Sequence, residues 1–523
     1  MYASQFYGYT KSKGAGFSDM PFHLNIINSF SVGCNNKRDK MFNILTAFYS
    51  GTQLVYPFIP NFHAALLMAT GLTSARYAML IPSVFIVFSL IIALYSLIFY
   101  FTKSHLACFI GLIIFTNLGG LGWTHVFDPR HRDDPRRDWI HDWGNDQEEY
   151  WFHPIMHIII PQRSAMWSLP LCVWTILCLA IGLENHNYKM FILAGLITGF
   201  MPQVQVHSFV AIAQYSIALC LITFPYKKKS KWKQYIILWA VYGIVANSIG
   251  LFQLTPFFIR TTKNKGSFIN INPIWRMNQK RNVRFAPIIL WWRGLGVFAA
   301  ISLVFGWVVL DKWQITLYLP SIIVFIITNI IRYQPWELDN TKLFYAAWVP
   351  VALAVVSYYI EHLITHPKTL FGKFLGSLLA FSLVFASSYS AYMSTVQSMF
   401  FPTTIFGKEE YQFGLWVAEN TPPKAVFLFS FATNNPIVSI AGREVFMGFV
   451  GWVFSHGLDV SRTQAESQMY HNPNNIDLFK KNNVSYVATC EYCQYKRFNY
   501  QKAPDNWKVA FKTNKFALYR LVA

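Results

Sequence analysis

Ala75-Arg-Tyr-Ala-Met-Leu-Ile-Pro-Ser-Val-Phe-Ile-Val-Phe-Ser-Leu-Ile-Ile-Ala-Leu-Tyr-Ser-Leu-Ile-Phe-Tyr-Phe101 carries one charge, Arg76, in a run longer than the ~20 apolar residues that cross a bilayer. A buried helix of a soluble protein would alternate polar and apolar faces, and this run does not. Similar runs follow at 105–122, 165–182, 235–252, 294–310, 315–331, 343–360 and 374–392. A longer apolar stretch is broken by Met201-Pro-Gln-Val-Gln-Val-His-Ser208 and reads as two spans, 190–205 and 207–224. The expected protein is an α-helical polytopic membrane protein with about ten transmembrane helices. Its composition agrees: 54% of the 523 residues are hydrophobic and 13% charged, against roughly a quarter charged in soluble domains.

The net charge of +20 is not a nucleic-acid footprint, because the basic residues lie mostly in short loops between spans. Lys227-Lys-Lys-Ser-Lys-Trp-Lys233 and His366-Pro-Lys-Thr-Leu-Phe-Gly-Lys373 read as cytoplasmic loops. Counting from them puts residues 1–74, 123–164, 257–286, 333–342 and everything after about 395 on the other side. A sequon, Asn483-Val-Ser485, agrees with a lumenal tail and an endoplasmic reticulum membrane. Residues 1–20 lack the apolar core of a signal peptide. A lumenal N-terminal segment therefore needs either a first span ahead of this sequence, which is favoured, or insertion of 75–101 with its N-terminus outside.

Three parts are expected: a lumenal N-terminal segment with interfacial helices (1–74), a multi-span domain (75–395) and a soluble lumenal α/β domain (405–523). In the first, residues 56–71 are too short and proline-marked to span and read as a helix in the interface. In the last, 410–420 predicts a helix, and 425–430, 444–447, 484–489, 507–512 and 516–522 predict strands. The seven cysteines do not form a disulfide framework, and Cys490-Glu-Tyr-Cys493 is an isolated pair without the context of a redox or zinc motif.

Candidate chemistry is confined to few places. Asp19 and His23, in Gly16-Phe-Ser-Asp-Met-Pro-Phe-His23, share a face if helical, with Ser18 as N-cap. They read either as a general base with an assisting histidine or as a solvated acid opening a helix; spacing alone favours the second. The loop Asp128–Glu149, with Asp133, Asp134 and His131, has the oxygen ligands that suit Mg²⁺ or Mn²⁺. Its four interleaved arginines make internal ion pairing the better reading. His157 and Arg163 flank an apolar Ile-Ile-Ile-Pro step, where Arg163 would either clamp a phosphate or snorkel to head groups. Gln203, Gln205 and His207 sit at a span break and read as a turn rather than a cavity lining. Arg332-Tyr-Gln-Pro-Trp-Glu-Leu-Asp-Asn-Thr-Lys342 is more charged than a connection of its length needs. There Lys342 or Arg332 would suit phosphate, and Glu337 and Asp339 sugar hydroxyls.

Together these residues resemble the GT-C superfamily of polytopic glycosyltransferases, in its uncharacterised multi-span branch. The matching elements are Ser18-Asp-Met-Pro-Phe-His23, Tyr56-Pro-Phe-Ile-Pro60, His157 to Ser164, Trp336-Glu-Leu-Asp-Asn-Thr-Lys342 and Gly448-Phe-Val-Gly-Trp-Val-Phe-Ser-His-Gly-Leu-Asp459. The resemblance implies inverting transfer of a sugar from a polyprenyl (dolichyl) phosphate lipid donor to a lumenal acceptor. Asp19 would be the base, with Arg163, Lys342 or Arg260 at the leaving phosphate and a metal optional. The Trp-Trp-Asp-Tyr-Gly motif of oligosaccharyltransferases is absent, so protein N-glycosylation is not implied. The alternatives are a multi-span transporter or lipid flippase, and a non-catalytic GT-C-like membrane protein.

Overall fold

The computed structural model describes residues 11–13, 19–38, 43–71, 73–127, 153–261, 269–273, 286–334, 337–400, 402–429 and 433–522. Two helices, α1 (Asp19–Ser31) and α2 (Ile59–Ala69), precede the first long apolar helix, α3 (Ala75–Thr102). Then come α4 (His105–Thr116), α5 (Arg163–Glu184), α6 (Tyr188–Phe200), α7 (Val206–Thr223) and α8 (Trp232–Thr261). The apolar series ends with α9 (Leu290–Val309), α10 (Lys312–Ile330), α11 (Thr341–Thr365) and α12 (Leu370–Phe400).

Eight of the ten expected spans are helices long and apolar enough to cross a membrane, among the described residues. The other two runs are shorter than their hydropathy suggests. Ser104 caps the start of α4 by accepting from the Ala107 amide, and Asn117 ends it after 12 residues, about 18 Å at 1.5 Å per residue. Met201 and Pro202 end α6 after 13 residues. Neither reaches the ~30 Å of a hydrocarbon core unaided. Apolar content alone did not reveal where the hydrogen-bonded ladder stops.

The chain divides into two compact units, one of residues 1–82, 259–266 and 402–523, the other of 83–258 and 267–401. In the second, α11 is the most enclosed helix, with 89% of its most apolar window buried, whereas α12 has 11% and exposes Leu370, Phe371, Phe374 and Phe381. Exposed apolar side chains in this number suit a hydrocarbon solvent. Each polar group in such a helix needs an internal partner: Gln314 Nε2 donates to the Phe101 carbonyl at 2.6 Å and Tyr318 Oη to that of Ser302 at 2.7 Å.

In the first unit, strand β1 (Lys11–Lys13) pairs antiparallel with β2 (Pro402–Thr404). After α13 (Lys408–Asn420) come β3 (Val426–Leu428), α14 (Pro436–Ser439), β4 (Glu444–Val445), α15 (Val450–Ser455), α16 (Arg462–His471), α17 (Ile476–Lys481), β5 (Val484–Cys490), β6 (Trp507–Lys512) and β7 (Phe516–Leu521). The sheet order is β4-β3-β5-β7-β6, parallel where β3 meets β4 and β5 and antiparallel where β7 meets its neighbours, with Ala488 opposite Leu518. All five strands and the helix fall where periodicity predicted them, within a residue or two. The cysteine reading is corrected: Cys490 and Cys493 are joined in a disulfide at the end of β5.

The N-terminal segment shares this unit's core. Met20, Phe22, Leu24, Ile26, Ile27 and Phe30 of α1 are buried in one cluster with Phe427, Val445 and Tyr486. Six such side chains represent on the order of 10 kcal/mol of transfer free energy before chain entropy is subtracted. Polar groups fix the register: Asn28 Nδ2 donates to the Ser439 carbonyl at 2.7 Å, and Ser439 Oγ to that of Pro21 at 2.9 Å. Gly442, at φ +64°, lies so close to α1 that a Cβ would stand 2.4 Å from the Asn28 carbonyl. Arg443 closes the join: fully buried, it donates to the carbonyls of Val32, Ala441, Ala418 and Thr421 and to Thr421 Oγ1.

Arg443→Met should remove those donors and leave buried carbonyls unpaired, costing about 3 kcal/mol or more. The expected readout is a thermal-unfolding midpoint several degrees lower for the purified protein. An unchanged midpoint would show that the clamp contributes little.

Candidate functional site

Asp19 is the first residue of α1 and its partly exposed one; the twelve that follow are buried. Ser18, the expected N-cap, lies outside the described residues. The helix puts His23 one turn on, on the same face as Asp19. His23 is buried, and its Nδ1 is 3.2 Å from Asn61 Nδ2 of α2, which orients the ring. Next to it, Phe22 stacks on His456 (centroids 5.3 Å apart, 30° between planes) and meets Trp452 and Tyr56 edge-on at 5.1 and 4.8 Å. The described parts of three stretches singled out in the sequence thus converge in the first unit: 19–23, 56–60 and 448–459. Sequence reasoning did not foresee Asn61, Trp452 or His456 as partners of this helix. Trp452 and His456 had only membership of 448–459 as a signal, since their contacts with Phe22 span more than 400 residues, and Asn61 lies 38 residues from His23, just past 56–60.

In the membrane unit, Arg163 opens α5 and is 1% exposed. Its Nη1 donates to Ser83 Oγ at 3.2 Å, and its guanidinium lies over Trp167 at 5.7 Å from the ring centroid. Such burial rules out snorkelling to head groups. His157 stands in a π-helical turn, Pro154–Ile159, ahead of α5. His153 caps that turn: Nδ1 accepts from the Ile155 amide, while Nε2 lies 3.0 Å from the Ala391 carbonyl and 2.9 Å from Thr395 Oγ1. Burial pushes His153 down to about 3, against the pull of the Ala391 carbonyl. Burial, and then the neighbouring His153, holds His157 well below the usual histidine range.

The residues at the span break have divided roles. Turn bonds from Val204 and Gln205 back to Met201 form the expected turn. Gln205 itself is buried, and its Oε1 accepts from Ser168 Oγ at 2.6 Å and Ser208 Oγ at 2.8 Å, joining α5 to α7. Gln203 bonds twice to Gln253 of α8. His207 instead lies beside Gln334, in electrostatic range of Lys342 and Asp339.

Those two charges form an ion pair of 2.9 Å, with the Lys342 side chain 14% exposed. Asn340 pins the same loop, donating from Nδ2 to the carbonyls of Thr328 and Ile331 and accepting from the Tyr333 amide. Part of the loop's polarity is therefore spent on its own geometry. Arg332 lies on a two-residue strand, Ile331–Arg332, paired with Asn270–Ile271. The Glu337 and Arg260 side chains, and Asp133 and Asp134 altogether, lie outside the described residues. Among the described residues no group of three histidine, cysteine or acidic side chains is gathered as a metal site.

No protein-family model matches the chain, and no curated protein matches it. Among solved structures it is similar to ArnT from Cupriavidus metallidurans bound to undecaprenyl phosphate: 10% identity, TM-score 0.48, covering 100% of this chain and 96% of that one. The apo form of the same protein gives 8% identity and a TM-score of 0.47, covering 99% and 95%. At such identities and TM-scores these neighbours assign nothing to individual residues.

His153→Leu should lower stability at pH 7.5 by about 1–3 kcal/mol, because it strips three bonds from a buried turn. The deficit should shrink as pH falls from about 6.5 toward 3. There the unfolded wild-type histidine takes up a proton that the folded one refuses, so the wild type loses stability that the variant never had. Thermal unfolding of both proteins across that range reads the gap; a gap independent of pH would contradict a neutral, buried His153.

Proposed function

We propose that this protein is a membrane glycosyltransferase that moves a sugar from a polyprenyl-phosphate donor of dolichyl type to a lumenal acceptor, with Asp19 as general base. The observation that carries the reading is the setting of Asp19: a partly exposed carboxylate at the start of a helix otherwise buried, with His23 held on the same face by Asn61. A base must keep its position while the acceptor hydroxyl approaches, and a helix locked along its length supplies that at no further entropic cost. The residue types in the membrane unit suit the other half of the reaction. Arg163 and Lys342 are cations in enclosed surroundings, where a leaving phosphate would be stabilised more strongly than in water. Asp339 holds Lys342 and would hand it over when a phosphate competes for it. Tyr56, Trp452 and His456 buttress α1 through their ring contacts with Phe22.

In this reading the acceptor hydroxyl loses its proton to Asp19 as its oxygen attacks the anomeric carbon. The bond from that carbon to the phosphate oxygen breaks, and polyprenyl phosphate departs. The sugar inverts, because attack and departure are on opposite faces. A phosphate leaves readily, so no metal is required; Mg²⁺ or Mn²⁺ would assist by shielding the phosphate. The proposed setting is the endoplasmic reticulum membrane, with the residues 402–523 in the lumen.

Asp19→Asn keeps the size and removes the base. Reconstituted in liposomes with a panel of polyprenyl-phosphate hexoses, it should transfer sugar 10²–10⁴-fold more slowly than wild type, with little change in donor affinity. Lys342→Met should instead weaken donor binding. Undiminished turnover by Asp19→Asn would remove Asp19 from the mechanism. Gradient-dependent movement of substrate without transfer would favour a transporter.

A further inference from the structure

A second site lies in the first unit, in a cleft of about 970 Å³ between α16, the turn before α15 and the segment after the Cys490–Cys493 disulfide. That is at the upper end of the ~300–1,000 Å³ usual for ligand clefts and has room for more than one sugar ring. Its lining includes Glu466, Gln464, Gln468, Asn434, Phe449 and Tyr495. Glu466 is 5% exposed, and its Oε1 has no hydrogen-bond partner among the described residues. A buried carboxyl oxygen without a partner is costly to a fold and is usually explained by something that binds there.

The chemistry of the lining narrows what would bind. Among the described residues lysine and arginine are absent from it and two carboxylates, Glu466 and Glu410, are present, so an anion is disfavoured. Glu410 is already engaged, by the Gly407 amide and the Tyr492 hydroxyl, which leaves little for a cation to exploit beyond Glu466 itself. What remains is a set of amides that both donate and accept, one buried carboxyl, and aromatic rings. Phe449 is 37% exposed, and Tyr495 is held flat by stacking on Tyr470 at 4.1 Å. Burial raises the Glu466 carboxyl to about 7, so near neutrality it both donates and accepts.

We infer that this cleft binds a neutral saccharide, with Glu466 taking a sugar hydroxyl at its floor, Gln464 and Gln468 bonding hydroxyls at its rim, and Phe449 or Tyr495 lying against a ring face. Asp19 is not part of this lining, and the inference is tested by binding alone, so its outcome leaves the transfer proposal as it stands.

The test uses the full-length protein in lipid nanodiscs, free of glycoside detergents that would compete. Fluorescently labelled nanodiscs are applied to an array of immobilised neutral oligosaccharides, and the strongest binder is then titrated in solution. Two variants are compared with wild type: Glu466→Leu, which removes the buried polar group, and the rim pair Gln464→Ala with Gln468→Ala, both exposed positions whose loss leaves folding intact. Wild type should bind at least one neutral glycan, and each variant should bind it at least tenfold more weakly. No binding to any neutral glycan, binding to anionic glycans only, or equal binding by the rim variant would overturn the inference.

Discussion

The burial of α1 is the constraint on which the proposed chemistry depends. A thirteen-residue helix near the chain's start would fray in water, since helices this short are marginal by themselves. Here twelve of its residues are enclosed by α2 and its flanks together with the C-terminal sheet, and glycines 33 and 442 let the two backbones approach to a distance no side chain permits. Arg443 then satisfies four carbonyls where the segments meet. An acidic residue on a loose N-terminal segment would sample many positions; on this helix its backbone is set by the buried residues that follow it. The requirement for a rigid base and the requirement for a stable join between distant parts of the chain are met by the same packing.

The membrane unit follows a different rule. In lipid there is no water to receive a stray polar group, so each must find a protein partner. Gln205 with Ser168 and Ser208, Arg163 with Ser83, and Asn340 with two carbonyls all obey it. Most of the polarity that looks functional in the sequence therefore also holds helices together. The Lys342–Asp339 pair differs in kind, because an ion pair at a partly open position can exchange one partner for another.

Different parts of this architecture were open to sequence reading for different reasons. The strands Trp507–Lys512 and Phe516–Leu521 were evident because alternation is local and the intervening turn is polar. The eight long helices were evident because a bilayer demands length. Two further apolar runs form shorter helices than their hydropathy suggests: hydropathy does not register Asn117 as an end, and the break at Met201–Ser208 was legible but ends α6 at Phe200, earlier than the apolar run. The α1 helix was legible only as a possibility at Asp19–His23, and Asn25, Asn28, Ser29 and Ser31 interrupt the apolar pattern that would have shown its burial. They are buried, and Asn28 finds its partner at Ser439, 411 residues away, which no window along the chain can show. The same holds for His23 with Asn61 and for His207 with the 334–342 loop. Asp19 and His23 on one face was a local inference from i, i+4 spacing, and the helix carries it.

The central claim is that the Asp19 carboxylate meets the reacting hydroxyl. A cryo-EM structure of the protein in nanodiscs, with a non-hydrolysable polyprenyl-phosphonate sugar bound, tests it most directly. The account predicts the anomeric carbon about 4–6 Å from the Asp19 carboxylate, leaving room for one acceptor oxygen within about 3 Å of the acid. A sugar seated more than about 10 Å from Asp19, with another carboxylate beside it, would contradict it.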